Sequence, residues 1–131
     1  MPPEPEKTIE IVERGPYLEC RYLGCYALEP FKKQMEGSTQ ACIDRKLDLL
    51  LVDITDLSDY RPTTFERHEI GIYGATLSRI LSKVAILGSR EQLGDQFAAT
   101  VARNRGLAIQ VFADRDEAVR WLVNPSASAR S

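Results

Sequence analysis

The chain has one histidine, His68, and only three cysteines, Cys20, Cys25 and Cys42. An odd number of thiols at these spacings matches no disulfide framework and no zinc-ligand pattern, so neither a metal nor a disulfide scaffold is expected. Charge of either sign is scarcely in excess. Seventeen Lys and Arg against nineteen Asp and Glu leave a net charge of -2, so no global field draws the molecule to nucleic acid or to an anionic lipid surface. Long apolar runs are missing too, and stretches such as Leu49 to Val52 fall far short of the roughly 20 residues that a membrane span needs. Met1-Pro2-Pro3-Glu4-Pro5-Glu6-Lys7 has neither the basic start nor the apolar run of a secretory leader, and the expected location is cytoplasmic. A glycine-rich phosphate loop is lacking. Gly71-Ile72-Tyr73-Gly74 falls inside a helical pattern and has no Lys-Ser/Thr pair behind it.

What is present fits one globular domain. The 131 residues are 44% hydrophobic and 27% charged, which suffices for a single core and lies well away from disordered compositions. Residues 1–7 are expected to be flexible, 8–123 to form the domain and 124–131 to be a loose tail. The arginines of the second half (Arg79, Arg90, Arg103, Arg105, Arg115, Arg120) alternate with acids. They read as solvated helix faces rather than as a binding stripe.

Hydrophobic periodicity orders the elements. Ile9 and Ile11 alternate at strand period, Gly15-Pro16 marks a turn, and Tyr17 to Ala27 supplies the second strand of a hairpin. That strand carries Cys20 and Cys25, which the pleat would send to opposite faces. Pro30 suits the first turn of a helix carrying Phe31, Met35 and Cys42, which runs through Gly37-Ser38-Thr39. Leu47 to Ile54 is apolar nearly throughout, as in a central strand covered on both faces. Thr63-Thr64-Phe65-Glu66 has the form of a capping box and starts a helix whose stripe continues through Tyr73, Leu77, Ile80 and Leu81. Lys83 to Gly88 is a further buried strand, and Leu93, Phe97 and Val101 mark a helix ended by Asn104-Arg105-Gly106. Leu107 to Phe112 is the last strand, and Asp114 with Glu117 opens a helix carrying Ala118, Val119, Trp121 and Leu122 inward. The fold class is therefore α/β, an opening antiparallel hairpin followed by alternating helices and strands in a mostly parallel sheet.

This layout resembles the STAS superfamily, and within it the SpoIIAA-like branch that is compared with CRAL-TRIO domains. The resemblance spans Ile9 to Leu122. It rests on Leu23-Gly24 before the first helix, Leu51-Val52-Asp53-Ile54-Thr55-Asp56, Lys83-Val84-Ala85-Ile86-Leu87-Gly88, and Val111-Phe112 followed by Glu117-Ala118-Val119-Arg120-Trp121-Leu122. It implies a non-enzymatic regulatory or binding module that acts through a protein partner or a small apolar, lipid-like ligand. It also implies a phosphorylatable hydroxyl at the start of the helix after the central strand, where Thr63 and Thr64 stand between Pro62 and Phe65. Those threonines are equally explained as helix caps.

Asp53 ends a hydrophobic strand as in a receiver domain, but no acid cluster precedes it and no lysine follows Phe112-Ala113-Asp114; bonding to nearby backbone accounts for it. A small enzyme would have to use Cys25 or His68, and a structural homodimer would use the hairpin or the Tyr73 helix. Neither a catalytic residue nor a cofactor is assigned. Open parallel sheets bind ligands beyond the carboxyl ends of their strands, so the candidate ligand or partner edge comprises Asp53, Ser58, Tyr60, Phe65 and His68. There Tyr60, Phe65 and His68 would line a pocket or pin the loop to the core.

Overall fold

The computed structural model describes residues 8–94, 100 and 103–124. Ile9–Glu13 (β1) and Leu18–Tyr22 (β2) form the expected antiparallel hairpin. Its turn uses Gly15 at φ 85°, a left-handed conformation that costs glycine little. Leu49–Asp53 (β4), Lys83–Leu87 (β6) and Ile109–Phe112 (β7) are all parallel to one another and to β2. The five-stranded order is β1-β2-β4-β6-β7.

The second predicted strand is shorter than its sequence suggests. Tyr22 ends β2, Gly24 turns the chain at φ 95°, and Gly24–Cys25 (β3) pairs instead with Leu57–Ser58 (β5) in a separate two-stranded parallel sheet. Cys20 and Cys25 therefore lie in different sheets, one buried and one exposed, rather than on two faces of one strand. Nor does Ile11 pack inward: it is 38% exposed on the edge strand.

Leu28–Arg45 (α1) and Thr64–Ala75 (α2) belong to one face of the sheet, and Arg115–Val123 (α4) to the other. Strand alternation sorts the side chains between them. Leu18, Cys20, Tyr22, Leu50, Val52, Val84 and Ile109 form the α1–α2 core, while Leu51, Ala85 and Leu87 pack with Ala118 and Leu122 of α4. β4 is covered on both faces, as its unbroken apolar run requires. α1 runs through Gly37-Ser38-Thr39 because both hydroxyls turn back into the helix. Ser38 Oγ donates to Gln34 O and Thr39 Oγ1 to Met35 O, each at 2.9 Å, so neither buried hydroxyl lacks a partner. With the Ser38 proton committed there, the buried Tyr22 hydroxyl is the donor of the 2.8 Å bond between the two.

α2 ends at Ala75 and tightens into a 3-10 turn, Thr76–Arg79. The predicted stripe breaks there, leaving Ile80 39% exposed while Leu81 is buried. Arg90–Leu93 (α3) opens on a second capping box, Ser89 and Gln92; Phe97 and Val101 lie outside the described residues. Asp114 caps α4 by accepting from Glu117 N at 3.1 Å. Within α4, Arg115 is not part of a solvated face. It reaches Glu19 Oε1 at 2.7 Å and Asp53 Oδ2 at 3.1 Å, tying the helix to β2 and β4. At the far end the Lys83 ammonium donates to Trp121 O at 3.0 Å and Asn124 O at 2.8 Å. Those carbonyls close the last turn of α4, where a cation is favoured by the helix dipole.

Candidate functional site

A cavity of about 100 Å³ opens between the sheet and α2. Its floor is the α1–α2 face of the central strands: Leu50 and Val52 of β4, Val84 and Ile86 of β6, and Ile109 and Val111 of β7. Ile86 belongs to a strand paired on both sides, yet it is only half-buried, and what it faces is this space. α2 forms the roof with Arg67, Ile70, Gly71 and Gly74, spaced i, i+3, i+4 and i+7 along one helical face. The two glycines bring no side chain of their own to that face. Nearly all of the wall is apolar, and its polar members among the described residues are Tyr22, Tyr60, Arg67 and Gln92.

Aromatic rings close one end. Phe31 meets Tyr22 edge-on at 5.6 Å, Tyr26 at 5.5 Å and Tyr60 at 5.8 Å, and Tyr26 meets Tyr60 at 5.1 Å. Such contacts fix ring positions in the preferred T-shaped and tilted geometries. Burial and the nearby Glu66 carboxylate push the Tyr26 hydroxyl well above its ordinary range, and burial does the same to Tyr22. Neither phenol is an acid or a base at neutral pH.

Of the edge residues expected from the sequence, Tyr60 alone lines the cavity. Phe65, 68% exposed, and His68 lie on the outer side of α2, because positions one or two residues from Arg67 rotate away from its face. Ser58 is exposed in β5 and donates to Gly24 O at 3.3 Å. Asp53 is on the opposite face of the sheet. Its Oδ1 accepts from Thr55 N at 2.9 Å, the backbone bonding expected of it, while Oδ2 meets Arg115 at 3.1 Å. Thr63 is the N-cap of α2: its Oγ1 accepts from Glu66 N at 3.1 Å, and Glu66 Oε1 accepts from Thr63 N at 3.0 Å. Thr64 is exposed in the first turn. Thr63→Ala should lower stability by about 1 kcal/mol, the usual worth of such a cap, measured as a shift in urea midpoint at constant m; Thr64→Ala, which removes no cap bond, should leave the midpoint unchanged.

The thiols separate by depth. Burial raises Cys20 to about 11 and Cys42 to about 12, from an ordinary 9.0, so at pH 8 both are held as neutral thiols. Cys25 is exposed. Under native conditions at pH 8 a disulfide reagent should modify one thiol per chain promptly and the other two only on unfolding. Because the folded values lie above the unfolded one, this contribution to stability is intact below pH 9.0 and is lost as pH rises through about 11 and 12. Alkaline unfolding of Cys20→Ala and Cys42→Ala should accordingly be less steep in pH than that of the parent.

Two features of this region escape the sequence. One is the α2 roof, where the Gly71-x-x-Gly74 spacing reads from sequence as permitting close approach to a neighbour. The other is the ion-pair set on the opposite side of the sheet, where Arg14 Nε reaches Glu19 at 3.3 Å and Arg21 Nε reaches Asp53 at 3.7 Å. Among the described residues no group of three His, Cys, Asp or Glu side chains is placed to hold a metal ion, and no helix is long and apolar enough to cross a membrane.

Sheet order, hairpin and helix placement together define an α/β domain of the SpoIIAA-like fold. A crystal structure with that fold, of an uncharacterized DUF3478-family protein from Shewanella loihica PV-4, is similar to this chain. The two share 24% identity and a TM-score of 0.54 over 87% of this chain and 91% of that one. No family model matches the chain, and no curated protein does. The fold expected from the resemblance to STAS and SpoIIAA-like domains is the fold observed.

Proposed function

We propose that this protein is a non-enzymatic binding module whose cavity between the sheet and α2 takes a small apolar ligand. The observation that carries the proposal is Ile86. A half-buried aliphatic side chain in a strand paired on both sides faces a space that none of the described residues fills, lined by further apolar groups. Cores are otherwise packed to near-crystalline density. A dry apolar cavity of ~150 Å³ suffices to bind benzene, so the space of about 100 Å³ accepts a short aliphatic segment as it stands, and more through its open side.

The test is an amide chemical-shift titration of the full chain with 1-octanol. Saturable shifts at Ile70, Gly71, Gly74 and Ile86 are expected, with the exposed edge at Ile11 and Val12 unmoved. If the cavity amides stay fixed up to the solubility limit of the alcohol, the proposal fails.

A further inference from the structure

We infer that the protein associates as a homodimer in which β1 of one copy pairs antiparallel with β1 of a second copy about a two-fold axis at Ile11, joining the two sheets into one. β1 ends the sheet order, and the bonds that flank it fix the phase of its ladder with β2. Leu23 N donates to Thr8 O and Arg14 N to Tyr17 O, each at 2.9 Å. In an antiparallel pair such bonded positions recur at every second residue, so the backbone groups of Glu10 and Val12 turn toward β2 and those of Ile9, Ile11 and Glu13 turn outward. Edge strands are ordinarily blunted by lysine, proline or a bulge. β1 reads Ile-Glu-Ile-Val-Glu and pairs with β2 residue for residue, so it carries none of the three, and its Ile11 and Val12 are 38% and 41% exposed.

A second copy is the occupant because this edge complements itself. With Ile11 on the axis, Ile11 meets Ile11 and Ile9 meets Glu13, so all three outward-facing residues of each strand find a backbone partner. Ile11 then packs on its own counterpart on the α1 side of the sheet, the side on which Ile9 joins the core. On the other side Glu10 lies opposite Val12, and Arg14 of each copy lies diagonal to Glu10 of the other, within the ~7–8 Å that long side chains span. Opposite charges are thus the near ones. An axis at Glu10 or at Glu13 would set two carboxylates directly against each other, which is unfavourable, and an axis at Val12 would match only Ile11 and Glu13 of the three. Pairing about a two-fold uses the same patch on both copies and closes at two.

Sedimentation velocity of the full chain, without ligand, over on the order of a thousandfold range of concentration should show a dimer that passes to monomer on dilution, with nothing larger. Hydrogen exchange read amide by amide at the two ends of that range locates the surface. Ile9, Ile11 and Glu13 should gain at least tenfold protection in the dimer, while Glu10 and Val12, bonded to β2 in either state, should change less than threefold. Ile11→Lys sets two ammonium groups against each other at the axis and should weaken association at least tenfold; Ile11→Val should stay within threefold. A monomer throughout, growth beyond two copies, or a dimer in which Ile9, Ile11 and Glu13 exchange as fast as in the monomer would each overturn the assignment. Protection of those three amides in the dilute monomer would overturn it too, since the chain itself would then cover the edge. The measurements on the parent protein need no variant, so a misfolded Ile11→Lys leaves the test intact.

Discussion

Arg115→Ala is expected to lower the unfolding free energy by about 2–4 kcal/mol, a large fraction of what a domain of this size has. Glu19 and Asp53 are 4% and 2% exposed, and both carboxylates face the side of the sheet that α4 covers only in part. Arg115 bridges them, with one nitrogen at 2.7 Å from Glu19 and the other at 3.1 Å from Asp53. Removing one partner of a buried pair leaves the other charge desolvated, which costs ~3–5 kcal/mol where nothing replaces it. Here something does: Arg14 stands 3.3 Å from Glu19 and Arg21 3.7 Å from Asp53, so the loss falls below the full figure. Arg115 is itself 40% exposed, and solvent screening trims it further.

Urea unfolding measures the loss, and a double-mutant cycle assigns it. In a Glu19→Gln/Asp53→Asn background Arg115→Ala should cost less than ~1 kcal/mol, because no buried charge is then stranded. A loss under ~0.5 kcal/mol in the parent background would mean that water reaches both acids and that the bridge behaves as an exposed pair. The α4 amides are the place to look for a local consequence. The helix is held by Ala118 and Leu122 in the middle, Lys83 at one end and Arg115 at the other, so loosening the Arg115 end should speed exchange in its first turn.

Much of the fold is legible because it is local. The capping box at Thr63–Glu66 and the Asp114 cap are three-residue signals whose geometry the chain carries within itself. The continuous apolar run of β4 announces a doubly covered strand wherever it is placed. By contrast, β3 and β5 are two residues each and too short to show a period. Glu19 reads as the polar member of a strand between Leu18 and Cys20, and its burial comes from an arginine ninety-six positions away. Arg115, at the start of a helix rich in charge, looks solvated until the packing of α4 brings it to β2. A cavity is harder still, since it is made of what several elements do not fill. Tyr60 was legible as an aromatic beside the strand ends; Phe65 and His68 share its neighbourhood in sequence, but the helical turn carries them outward.

Ile86→Trp and Leu51→Trp should behave oppositely, although both enlarge an aliphatic residue on adjacent central strands. Leu51 is fully buried on the closed face, packed against α4, and inserting atoms into a filled core costs roughly 1–3 kcal/mol or more through forced rotamers and backbone shifts. Ile86 points the other way, toward the cavity of about 100 Å³ between the sheet and α2, where an indole has room and gains contacts. Its unfolding free energy should stay within ~1 kcal/mol of the parent, or rise, because the added surface is buried without displacing a neighbour. The same substitution should weaken 1-octanol binding by at least tenfold, about 1.4 kcal/mol, since the ring occupies the volume that its tail would use. If Ile86→Trp destabilises as much as Leu51→Trp, the space is collapsed in solution and no ligand enters it.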